Sequence, residues 1–199
     1  MLAKFLIKIL KIIFKFFFPY KIEGLENLKN LKNGFLICSN HVSNLDAIFI
    51  SIAIKRKIYF LAKSELFKNR FISYFLTKLG AISIKRGAKD TVAINKAENI
   101  LKNNEILGIF IEGTRSKDGN FLRPKSGAAI LACKTNSVIL PVCITPINRK
   151  KVKIFQKTVI NFGKIINNIE FNYNSYKEIR KATELIMQEI KKLRTDKIK

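Results

Sequence analysis

A chain of 199 residues with 38 Lys and Arg against 14 Asp and Glu carries a net charge of +24 at pH 7. It is long enough for one domain with a substantial core, and its 48% hydrophobic content excludes disorder as the default state. Three unevenly spaced cysteines (Cys38, Cys133, Cys143) and one histidine exclude a disulfide framework and a zinc site, and the charge favours anionic partners without naming one, because an A+T-rich coding bias also produces Lys, Ile and Asn.

Residues 1–18 are apolar apart from Lys4, Lys8, Lys11 and Lys15, which fall on one narrow stripe of a helix. As a spanning helix, Lys8 and Lys11 would cost about 2.5–3.5 kcal/mol each, offset by a dozen apolar residues at about 0.3–0.6 kcal/mol each. Lying flat, the helix keeps every ammonium among headgroups while its apolar faces sink into the acyl boundary. The expectation is an in-plane anchor over residues 1–20, followed by one domain over residues 21–199. Pro19 ends the helix.

Beyond it, strands are expected at 34–39, 58–62, 81–84, 106–111 and 138–144, with one or two more between 152 and 162. Helices are expected at 43–54, 65–79, 91–102 (capped by Asp90), 127–134 and after a Ser175/Glu178 capping box. Strands alternating with helices indicate an α/β fold: a single layered domain with a mostly parallel central sheet flanked by helices, plus the N-terminal amphipathic membrane helix.

Two segments carry chemistry. Asn40-His41-Val42-Ser43-Asn44-Leu45-Asp46 follows a buried strand and enters a helix. His41 lies in the turn and Asp46 in the first helical turn, so the carboxylate folds back toward the imidazole. That pair suits a general base without a built-in nucleophile, which leaves a substrate hydroxyl to attack. Ser43-x-x-Asp46 also reads as a plain capping box. The second segment, Glu112-Gly113-Thr114-Arg115-Ser116, again opens a polar loop after an apolar strand. Gly113 permits close backbone approach, Arg115 offers a bidentate phosphate clamp, and Thr114 and Ser116 add hydroxyl donors. Lys63 and the Lys85-Arg86 pair stand at two other strand ends.

With these segments in order, the sequence resembles the 1-acylglycerol-3-phosphate acyltransferases of the glycerolipid acyltransferase superfamily. The resemblance covers about residues 22–163 and rests on four blocks: Asn40-His41-x4-Asp46, Lys85-Arg86-Gly87, Glu112-Gly113-Thr114-Arg115-Ser116 and Leu140-Pro141-Val142. Ile111 stands where the family usually has proline.

The resemblance implies that His41 deprotonates the acceptor hydroxyl as it attacks a thioester, with Asp46 orienting the ring. Lys63, Arg86 and Arg115 would hold the acceptor phosphate, helped by Thr114, while Glu112 and Gly113 shape its site. The implied partners are a lysophospholipid acceptor, an acyl-CoA or acyl carrier protein donor, and the phospholipid surface on the cytoplasmic face of the cell membrane. No metal or redox cofactor and no nucleic acid would be needed. The rival readings are the same chemistry on another lysophospholipid or lyso-aminolipid, and a non-catalytic basic membrane-binding protein. A lipid hydrolase is disfavoured because no Gly-x-Ser-x-Gly elbow is present.

Overall fold

The computed structural model describes residues 2–29, 31–85, 90–147, 150–167 and 175–195. Seven strands form one sheet: β1 (Tyr20–Glu23), β2 (Leu36–Ser39), β3 (Ile58–Lys63), β4 (Ala81–Ile84), β5 (Ile106–Phe110), β6 (Ile139–Pro146) and β7 (Thr158–Phe162). Their order is β1-β7-β6-β2-β5-β3-β4, and every neighbouring pair is parallel except β6 with β7. The helices are α1 (Leu2–Phe17), α2 (Asp46–Ala53), α3 (Arg70–Lys78), α4 (Thr91–Lys102), α5 (Gly127–Thr135) and α6 (Tyr176–Lys192). The mostly parallel α/β architecture expected from the sequence is the one observed.

Chain direction sorts the helices. The crossovers through α2 and α3 carry the chain one way across the sheet, and those through α4 and α5 bring it back. With right-handed crossovers the two pairs must cover opposite faces. Two cores result. On the α2 face Phe35, Ile37, Phe49, Ile50 and Phe162 pack together; on the other face Leu36, Leu107, Ala129, Ile139, Ile186 and Ile190 do so. Successive residues of β2 thus serve alternate cores, which is why this strand is apolar throughout. Cys38 and Cys143 are buried in the second core, where burial pushes the Cys143 thiol up to about 11.

Local chemistry fixes several boundaries. Asp90 caps α4 by accepting from the Ala93 N–H at 3.0 Å, and Ser175 Oγ accepts from the Glu178 N–H at 3.4 Å. The helix expected over 65–79 is instead a 3-10 turn, Ser64–Phe67, and then α3. Asn69 divides them because its side chain accepts from Phe71 N–H and Ile72 N–H, ending one element and capping the next. The stretch 152–162 yields one strand, β7; before it, Phe155 adopts a left-handed φ of 58° that no strand accommodates. The edge strand β1 was not anticipated; its four residues pair with β7.

The C-terminal half of α1 rests on the domain. Phe14 is 3% exposed, with its ring centroid 5.0 Å from that of Phe49, whereas Ile12 and Phe16 are 67% and 69% exposed. Among the described residues, no helix is long and apolar enough to cross a membrane.

Candidate active site

The parallel neighbours β2 and β5 end side by side, with Ser39 opposite Phe110, and the two polar segments leave the sheet at this edge. Loops at the carboxyl ends of adjacent strands are where α/β sheets present ligand-binding groups. Immediately after β2, Asn40 locks the turn to β6: its Nδ2 donates to Ile144 O at 3.0 Å and its Oδ1 accepts from Ile144 N–H at 2.8 Å.

His41 is held from every side but one. Its backbone N–H donates to Glu112 Oε2 at 3.3 Å, and its carbonyl accepts from Ser116 N–H at 2.8 Å. Phe110 stacks on the imidazole, with centroids 4.0 Å apart and planes 10° from parallel. The ring's Nδ1 lies 2.8 Å from Asp46 Oδ2. Nε2 has no partner among the described residues, and His41 lines a cleft.

Asp46 opens α2 and is fully buried. Its Oδ2 also accepts from Val42 N–H at 2.7 Å and Ser43 N–H at 2.8 Å. One oxygen thus gathers the turn that precedes α2 and orients the histidine, and the capping box suggested by Ser43-x-x-Asp46 does not form. The Ser43 hydroxyl instead accepts from Leu45 N–H at 3.2 Å, and α2 begins at Asp46 rather than at Ser43. Oδ1 is buried without a partner among the described residues. Burial pushes this carboxyl above its ordinary range, while the imidazole and the Ser43 and Val42 N–H groups act against the shift. An imidazole with its Nδ1 side anchored on a carboxylate and its other nitrogen facing a cleft can take a proton from a hydroxyl.

The cleft has a volume of about 250 Å³ and lies between α2, α3 and the sheet. Its walls are mostly apolar, with Leu10, Ile48, Phe60, Leu76 and Leu79 among them, and two cations, Lys63 and Arg115, join His41 in lining it. Lys63 is paired with Glu65 at 2.9 Å. Arg115 is exposed and makes no ion pair among the described residues, which leaves its fork available to an anion.

The remaining expected residues take other places. Glu112 is buried and acts as a strap, its Oε1 accepting from Leu122 N–H at 3.2 Å while Oε2 holds His41 N–H. Burial raises this carboxyl to about 7, opposed by the N–H groups of Leu122 and His41. Gly113 turns at φ 69° and lines a separate cavity between α4 and α5, not the histidine cleft. Thr114 is exposed. The Ser116 hydroxyl is engaged within its own loop, donating to Asp118 Oδ1 at 3.0 Å and accepting from Gly119 N–H at 2.9 Å. Arg86 lies outside the described residues.

Two contributors went unassigned in the sequence: Phe110, which fixes the plane of the imidazole, and Asn40, which ties its turn to β6. The aromatic at the last position of β5 was the available signal for the first. Asn40, a polar residue directly after a fully apolar strand, was the signal for the second.

The chain is similar to known proteins. The chain is 31% identical over 193 residues to a 1-acyl-sn-glycerol-3-phosphate acyltransferase of Bacillus subtilis, covering 96% of each. It is 29% identical over 182 residues to the protein of that name from Borreliella burgdorferi, covering 89% of this chain and 72% of the other. The crystal structure of the 1-acyl-sn-glycerophosphate (LPA) acyltransferase PlsC from Thermotoga maritima superposes with a TM-score of 0.72 at 26% identity, over 98% of this chain and 83% of that one. The acyltransferase family model matches residues 19–145, a span that holds His41, Asp46, Lys63 and Arg115. This chain belongs to the acyltransferase family.

Proposed function

We propose that this protein is a 1-acylglycerol-3-phosphate O-acyltransferase, making phosphatidic acid for phospholipid synthesis. The observation that carries the proposal is the joint placement of an oriented imidazole and two cations in one apolar cleft. His41 Nε2 takes the proton of the acceptor's free hydroxyl as that oxygen attacks the thioester carbonyl carbon. The tetrahedral adduct then expels the thiolate, which recovers the proton from the imidazolium, so the enzyme ends as it began. Asp46 stabilises the imidazolium, and Arg115 and Lys63 hold the phosphomonoester. The names of the relatives and their extent of match support this acceptor.

The donor is a fatty acyl thioester, either acyl-CoA or acyl carrier protein, and the proposed chemistry uses no metal or redox cofactor. The apolar face of α1, with Ile12 and Phe16 exposed, supports a protein lying on the cytoplasmic face of the cell membrane and meeting its acceptor there. Phosphate recognition here serves a lipid headgroup and not nucleic acid.

The test is a panel of radiolabelled lysolipids, each offered with acyl-CoA and with acyl carrier protein. Transfer should be fastest to lysophosphatidic acid, and His41→Ala should abolish it while leaving vesicle binding in place. Preference for a lysolipid without a phosphomonoester would refute the acceptor assignment. Turnover surviving in His41→Ala would refute the chemistry.

A further inference from the structure

The 3-10 turn Ser64–Phe67 and helix α3 have an unusual surface. No residue of α3 is buried, and four large apolar side chains stand out of this short segment: Leu66 at 48%, Phe71 at 72%, Ile72 at 47% and Tyr74 at 52% exposure. Phe71, Tyr74 and Lys78 follow one another at i, i+3 and i+7, the spacing of a single helical face. The rings are mutually braced. Phe71 and Tyr74 both meet Phe75 edge-on, with centroids 4.7 and 5.7 Å away, and Lys78 Nζ lies 5.5 Å from the centre of the Tyr74 ring.

Beyond Glu65, which is paired with Lys63, the charges of this segment have one sign. From Leu66 to Lys85 the sequence holds Lys68, Arg70, Lys78 and Lys85 and no acidic residue. Aromatic and aliphatic tips fringed by cations match the interfacial layer of an anionic bilayer, where rings sit at headgroup depth and ammonium or guanidinium groups meet lipid phosphates. An acidic carrier protein would satisfy the cations but would leave the projecting rings without an apolar layer to enter. The other side of the same helix faces the cleft: Leu76 and Leu79 line it, as does Leu10 of α1.

We infer that the face formed by Phe71 and Tyr74 with Lys68 and Arg70 is a second membrane-inserting surface, independent of α1, which seats the cleft mouth on anionic lipid. The inference rests on the membrane placement proposed above and adds a second point of contact from another element that lines the cleft. One contact leaves a peripheral protein free to pivot about it. Two contacts on elements that both line the cleft fix its orientation, so a lysolipid passes from the leaflet to His41 without crossing water.

The chain contains no tryptophan, so Tyr74→Trp in the full-length protein supplies a single reporter on this face. Added vesicles of phosphatidylcholine with phosphatidylglycerol should shift its emission to the blue, and brominated lipids should quench it. Co-sedimentation of the otherwise native protein carrying Phe71→Ser and Tyr74→Ser should show roughly tenfold weaker binding to the same vesicles, and Lys68→Gln with Arg70→Gln should abolish the preference for the anionic lipid. Neither pair lines the cleft, so turnover of a short-chain, monomeric lysophosphatidic acid should stay unchanged.

Vesicle binding that survives Phe71→Ser/Tyr74→Ser with an unshifted reporter, yet falls in Ile12→Ser/Phe16→Ser, overturns this inference alone. A native protein that ignores the vesicles overturns the membrane placement with it. A reporter that responds to acyl carrier protein and not to vesicles makes the face a donor dock, which also overturns the inference.

Discussion

Replacing Asp46 by asparagine isolates the charge that stands behind the imidazole. Two backbone donors, Val42 N–H at 2.7 Å and Ser43 N–H at 2.8 Å, converge on the oxygen that also meets His41 Nδ1. They force the new amide to present its oxygen there and its NH2 where Oδ1 has no partner. The tautomer is therefore preserved, unlike cases in which an amide reverses the ring's polarity and costs about 10⁴-fold. What disappears is the attraction between carboxylate and developing imidazolium, about 4 kcal/mol for unit charges about 4 Å apart at an effective dielectric of about 20. At about 1.4 kcal/mol per decade the loss is roughly 10²–10³-fold in kcat. Asp46 is fully buried, so KM for the acceptor should hardly move. Steady-state release of thiol from the donor, with thermal melting as a control for folding, measures both parameters. A kcat within threefold of the native value, or a loss confined to KM, would mean that Asp46 only holds the turn ahead of α2.

Arg115→Ala should raise the acceptor KM by roughly 10- to 100-fold with a smaller effect on kcat, since a charged hydrogen-bonding contact is worth about 1.5–3 kcal/mol; an unchanged KM for lysophosphatidic acid would remove Arg115 from the phosphate site. Glu112, raised to about 7 from an ordinary value of 4.5, binds its proton more tightly in the folded chain. Its stabilising contribution is therefore complete below about pH 4.5 and lost as pH rises through about 7. Melting curves of the native protein should fall across that window relative to Glu112→Gln, and parallel curves would contradict the assignment. Gly108 pairs with Phe60, and a Cβ added there would lie 2.2 Å from that ring. Gly108→Ala should lower Tm by about 2–12 °C through overpacking of about 1–3 kcal/mol. It should also slow turnover in the surviving folded protein, because Phe60 stacks toward Phe110 and Phe110 on His41.

Most of the sheet was legible because parallel strands buried on both faces leave unbroken apolar runs, and Asp90 and Ser175 announce their helices by short-range hydrogen bonding that any such sequence shares. The pairing of His41 with Asp46 was equally legible, being a matter of one turn. What escaped depends on residues distant in the chain. β1 exists because β7, more than 130 residues later, offers it an edge. Glu112 reads as a ligand-facing acid until Leu122 and His41 are seen to occupy both of its oxygens. Ile111, conspicuous as a departure from the usual proline, donates its N–H to Ser39 O at 3.0 Å, a rung between β2 and β5 that proline cannot make. Isoleucine at this position strengthens the joint between the two loops that carry the chemistry.

The division of the sheet into two separately packed cores has a consequence for change over time. His41 and its cleft lie on the α2 side, while α4, α5 and α6 close the other. Random variation behind the sheet is thus filtered by whether the chain folds, and variation in front by what the chain accepts. A breeder of variants seeking a new acyl chain or headgroup can leave the rear scaffold alone, and can borrow rigidity from it to offset losses at the front.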